Sequence, residues 1–94
     1  MITALPGHEA QRLAEMERQI AEVWADVLGI ERVGPTDDFF ELGGNSLHAV
    51  HIVSRTEEIV GVSLSSRSVL ESRNVREMAA HVWRVRDEAN DSAG

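Results

Sequence analysis

One serine is best placed for chemistry. Ser46 lies in the hexapeptide Leu42-Gly43-Gly44-Asn45-Ser46-Leu47, and Asp37-Asp38-Phe39-Phe40-Glu41 leads into it. Two glycines make a turn, and an apolar helical pattern starts directly after the serine. The spacing therefore predicts a hydroxyl exposed at a helix N-terminus. Free backbone N–H groups and the positive end of the helix dipole favour phosphate there. The glycines also leave no side-chain bulk before Ser46, so a modifying enzyme can approach closely. Ser46 reads as a point of attachment, not as a catalyst. Gly43 to Ser46 alone are equally compatible with an ordinary turn and a serine helix cap.

Two catalytic alternatives use the same segment. A serine hydrolase would need His48 or His51 as base. Positions two and five apart on one helix point to different faces, and no Gly-x-Ser-x-Gly elbow is present. A metal site would start from His48 and His51, three apart, but no third ligand stands at a convincing helical spacing. His8 and His81 lie far off in sequence, and no metal is expected.

The elements that must position Ser46 follow from periodicity. Leu13, Met16, Ile20, Val23, Trp24, Val27 and Leu28 recur at helical intervals over residues 9–28, and Gly29 is a stop signal. Residues 30–45 read as a long ordered loop, with turns at Gly34-Pro35, Asp37-Asp38 and Gly43-Gly44. Ile30, Val33, Phe39, Phe40 and Leu42 are expected to pin it to the core. A second helix should run from Ser46 to about Val60, with Ala49, Val50, Ile52, Val53 and Ile59 as apolar positions and Gly61 ending it. A short helix over about Arg67–Ser72 follows, carrying Val69 and Leu70. The last helix begins at Asn74, where Asn74-Val75-Arg76-Glu77 is a capping-box pattern. No strand-like alternation and no repeat is visible. The expected fold is all-α: a small four-helix bundle of three main helices and one short one. The expected divisions are a flexible lead at 1–8, one domain at 9–86 and a disordered tail at 87–94.

Composition narrows the function. Ninety-four residues, 43% of them hydrophobic, can fold as one small domain but hardly enclose a deep substrate cavity. The net charge is −7, and residues 1–41 hold nine acids against three arginines. Residues 42–94 are nearly balanced, with seven acids and six arginines. An acidic chain with no basic stripe is a poor nucleic-acid ligand. No cysteine means no disulfide and no thiolate metal site. No membrane partner, no secretory signal and a cytoplasmic location are the remaining expectations.

Trp24, Val27-Leu28-Gly29, Val33-Gly34, the run from Asp37 to Leu47 and Arg55 together resemble the peptidyl carrier (thiolation) domains of nonribosomal peptide synthetases. The resemblance extends from about Leu13 to Val82. It implies that Ser46 receives 4′-phosphopantetheine from coenzyme A, with Gly44, Asn45 and Leu47 as the flanking motif. It also implies that the arm's thiol holds an aminoacyl or peptidyl group as a thioester. The implied partners are a phosphopantetheinyl transferase, an adenylation enzyme and condensation or tailoring enzymes, with the carrier itself a non-catalytic monomer. Leu47, Val50, His51, Arg67 and Val69 are the expected partner surface.

Asn45 departs from the Asp or His usual in that family. Leu70-Glu71-Ser72-Arg73-Asn74 stands where Phe-x-x-Pro-Thr is common. With Met1 and no adjacent catalytic domain, these departures suggest a free-standing (type II) member. Acyl carriers of the fatty-acid or polyketide type are the near alternative. Their second helix is strongly acidic, whereas residues 46–60 here are nearly neutral. An unmodified helical interaction domain is the remaining alternative.

Overall fold

The computed structural model of the chain describes residues 7–93, and side chains over 10–88. Four helices follow in order: α1 (Gly7–Leu28), α2 (Ser46–Val60), α3 (Ser66–Ser72) and α4 (Val75–Ala93). There is no strand among the described residues. α1 packs on α2 and α4, and α3 bridges α2 and α4.

Each helix end has a local cause. α1 stops at Gly29, at φ 72°. The Gly29 N–H donates to the Asp26 carbonyl and the Ile30 N–H to the Ala25 carbonyl, a Schellman closure. α4 starts where the Asn74 side chain accepts the Glu77 N–H at 2.8 Å, one half of the expected capping box, while the Asn74 N–H donates to the Ser72 carbonyl instead of to Glu77. Its backbone continues to Ala93, so the stretch from Asp87, expected to be disordered, is helical. The physical reason is that no Gly or Pro interrupts it before Gly94. The expected lead at 1–8 is shortened, because α1 already begins at Gly7. Its remaining residues, 1–6, lie outside the described residues.

The core joins Met16, Ile20, Val23 and Trp24 of α1 with Ala49, Ile52 and Val53 of α2, Val69 of α3, and Val75, Met78, Ala79 and Val82 of α4. Trp24 and Phe39 are fully buried and form an edge-to-face pair with centroids 5.2 Å apart. Such a pair adds about 1 kcal/mol to what burial alone gives. The Trp24 indole N–H points at the Met78 sulfur, 3.4 Å away.

Three expected roles are corrected here. Phe40 does not pin the loop to the core; it is 53% exposed, while its neighbour Phe39 is buried. Ile59 is likewise 46% exposed on the last turn of α2. Val69 is fully buried and cannot belong to a surface patch. α3 is a single short stretch lying across α2 and α4, so its central apolar residue faces inward.

The serine at the entrance to α2

The loop that delivers Ser46 is held by its own carboxylates. Asp37 accepts the Gly34 N–H at 2.8 Å. Asp38 accepts the Phe40 and Glu41 N–H groups at 3.0 and 3.1 Å. The sequence marks this acidic pair only as a turn signal; in the fold the two side chains organise the loop backbone. Two further bonds tie the loop to the turn between α3 and α4: the Phe39 N–H donates to the Arg73 carbonyl, and the Arg76 N–H to the Pro35 carbonyl. Arg73, which stands in place of the common proline, has φ 72°, and its side chain approaches Asp38 at 3.5 Å.

The two glycines have separate structural duties. Gly43 has φ 94°, a conformation that side chains rarely adopt. Gly44 lies against the Phe39 ring. A Cβ there would stand 2.5 Å from two ring carbons, so no side chain fits without moving the core. Gly44 is thus explained by contact from below, not only by access from outside.

α2 is entered through a reciprocal cap. Asn45 has an extended backbone (φ −143°), and its side chain accepts the His48 N–H at 3.0 Å. In return, the His48 Nδ1 accepts the Asn45 N–H at 3.2 Å. The capping residue is therefore Asn45, and Ser46 is the first residue of the helix. His48 is engaged with the backbone of residue 45, which leaves it no role as a base for Ser46 in this arrangement. Among the described residues no group of three or more His, Asp or Glu side chains is positioned to hold a metal.

Ser46 itself is exposed. So are Asn45, Leu47, Val50, His51 and Arg67, while Gly44 is half-buried. Leu47 is 64% and Val50 51% exposed. Clefts of about 170–320 Å³ open elsewhere, one between Arg12, Met16, Ile59 and Arg86, another between Ser68, His81 and Arg84; Ser46 lines neither. A hydroxyl on an open surface, beside the unbonded N–H groups of a helix start, suits attachment of an anionic group. These residues fit a phosphodiester: the hydroxyl is accessible, and no carboxylate shares the first turn of α2. Phe40, missed by the sequence reading, is an additional exposed apolar residue on the loop that leads to Ser46. Its only signal was the doubled phenylalanine, which does not say which ring turns inward.

The family profile described as the phosphopantetheine attachment site matches residues 18–82. A linear gramicidin synthase of Brevibacillus parabrevis is 43% identical over 75 residues, which is 80% of this chain but 2% of that protein. The fold is similar to that of BlmI, a type-II acyl carrier protein from Streptomyces verticillus involved in bleomycin biosynthesis. That likeness has 48% identity and a TM-score of 0.82, covering 85% of this chain and 96% of BlmI. A peptidyl carrier protein seen in complex with the phosphopantetheine transferase Sfp and coenzyme A is 28% identical, with a TM-score of 0.69 over 73% of this chain and 90% of that one. No described helix is long and apolar enough to cross a membrane. The chain belongs to the phosphopantetheine attachment-site family, whose all-α carrier domains take 4′-phosphopantetheine as their prosthetic group.

Proposed function

We propose that this chain is a peptidyl carrier protein, and that Ser46 is the residue to which 4′-phosphopantetheine is joined. The observation that carries the assignment is the exposed Ser46 hydroxyl at the first position of α2, directly after Gly43-Gly44-Asn45. In the transfer, the Ser46 Oγ bonds to the phosphorus that bears the pantetheine arm of coenzyme A. The bond from that phosphorus to the adenosine bisphosphate half breaks, and the serine proton passes to the enzyme that performs the transfer. Once attached, the arm supplies a thiol that holds an acyl group as a thioester.

The chain's own part is presentation. The Asn45–His48 cap fixes where α2 begins, and the Phe39 ring beneath Gly44 fixes the turn before it. Tethering raises the effective concentration of the cargo at each partner. Those partners are the transferase, an adenylation enzyme, and condensation or tailoring enzymes, which meet a monomeric carrier in the cytoplasm, where coenzyme A is made. Leu47, Val50, His51 and Arg67 form the surface they share. Arg55, with His48 and His51, against Glu57 and Glu58 leaves α2 with little net charge, which supports peptidyl over acyl-type recognition.

The test is the intact mass after co-expression with a broad-specificity phosphopantetheinyl transferase. The expected gain is one phosphopantetheine, abolished by Ser46→Ala. An unmodified wild-type chain beside a competent transferase and coenzyme A would overturn the proposal. Loading of the modified protein with amino acids by an adenylation enzyme, but not with malonyl or fatty acyl groups, separates the peptidyl from the acyl carrier.

A further inference from the structure

We infer that Phe40 is the aromatic anchor by which the enzyme that modifies Ser46 grips this chain, an inference that rests on the attachment of phosphopantetheine at Ser46. The large apolar residues exposed among the described ones are Phe40, Leu47, Val50 and Ile59. Ile59 is thirteen positions along α2 from Ser46, about 20 Å away at the helical rise. Leu47 adjoins Ser46, Val50 lies one helical turn beyond it, and Phe40 lies six residues before it in the loop, joined to the serine turn through Phe39. Phe40 is the one aromatic side chain among the three.

Phe40 is exposed yet held. Its N–H donates to Asp38 at 3.0 Å, and its carbonyl accepts the Gly43 N–H at 3.0 Å. Its ring meets Phe39 edge to face with centroids 5.3 Å apart. Phe39 is also the ring that lies under Gly44, two residues before Ser46. One buried side chain therefore supports both the exposed ring and the turn that carries the hydroxyl. An aromatic group presented in a fixed place loses little entropy when a partner covers it, which is the usual character of an interface hot spot.

Several of the polar groups between Asp38 and His48 already bond within the chain. Asp38 accepts two loop N–H groups and faces Arg73, and Asn45 and His48 bond each other. Among the exposed groups on the loop before Ser46, the phenyl ring is the large apolar one, with Glu41 exposed beside it in sequence, and it adds to the Leu47 and Val50 surface of α2. The partner surface should be an apolar socket sized for one ring.

Reaction geometry selects the occupant. Enzymes that act on the thiol at the far end of the arm can work at a distance from the carrier. The transferase cannot, because its reacting phosphorus must come within bonding distance of the Ser46 oxygen. The surface around that oxygen lies beneath that enzyme during transfer, and Phe40 joins it through the Phe39 ring that supports Gly44.

Transfer from coenzyme A is measured against carrier concentration for wild type, Phe40→Ala, Phe40→Tyr and Ile59→Ala, with melting temperatures in parallel. Phe40→Ala should raise KM for the carrier about tenfold or more with kcat little changed. Phe40→Tyr should restore most of the affinity, and Ile59→Ala should behave as wild type. An unchanged KM for Phe40→Ala, with wild type modified normally, overturns the anchor and leaves the attachment site standing. Failure of wild type itself to be modified overturns the reading on which the anchor rests. A second measurement needs no change at residue 40. In Ser46→Ala, the ring resonances of the two phenylalanines are followed as transferase and coenzyme A are added. A shift or broadening confined to Phe40 supports the anchor; none at saturating enzyme overturns it.

Discussion

At its N-terminal end α2 is entered through Asn45, whose side chain and backbone exchange hydrogen bonds with His48. At its C-terminal end it is left through Gly61, at φ 76°, whose N–H donates to the Glu57 carbonyl at 2.8 Å. The Glu57 side chain then accepts the Leu64 N–H at 2.7 Å. Both ends satisfy their backbone, but they are supported differently. The C-terminal glycine has open space around its α-carbon, whereas Gly44 before the N-terminal cap rests directly on the Phe39 ring. One end is a local closure that any helix can make. The other is locked to the core and carries the exposed hydroxyl, with the exposed Leu47 next to it and Val50 one turn on. A presented serine, on this comparison, needs a platform built from elements distant in sequence.

The largest expected effect breaks that platform. Gly44→Ala forces its new methyl into the Phe39 ring and should cost about 3 kcal/mol in urea unfolding, the upper part of the range for overpacking. For a domain of this size that is a large share of the total stability. Gly61→Ala meets no such contact and should cost only the left-handed backbone penalty, about 1–2 kcal/mol. Equal losses at the two glycines would erase the distinction between the ends.

Asn45→Ala should cost about 1 kcal/mol by removing the helix cap. His48→Ala should remove the reciprocal bond, so the double variant should lose less than the sum of the singles. Additive losses would show that the two side chains do not act as one unit. The smallest effect is a gain. Thr56, buried in α2 between the two ends, has a hydroxyl with no hydrogen-bond partner. Thr56→Val should raise stability by at most about 1 kcal/mol, read as a higher urea midpoint at unchanged slope.

The sequence alone determined what depends on near neighbours. Helical spacing from Leu13 to Leu28, the stops at Gly29 and Gly61 and the Asn74–Glu77 cap are short-range patterns. They reappear in the structure as α1, the end of α2 and the start of α4. The turn before Ser46 and the exposure of Leu47 were legible for the same reason. What the tertiary structure decided is which side of a pattern faces the core. Phe39 and Phe40 are adjacent and chemically identical, yet Trp24 and Gly44 pack around the first and leave the second half outside. Val69 reads as a surface residue until α3 is laid across α2 and α4, which buries it. Asp38, Arg73 and Pro35 meet only because the loop runs beside the turn between α3 and α4. Capping and periodicity act over a few residues and are written along the chain, whereas burial is set by partners that folding alone brings together.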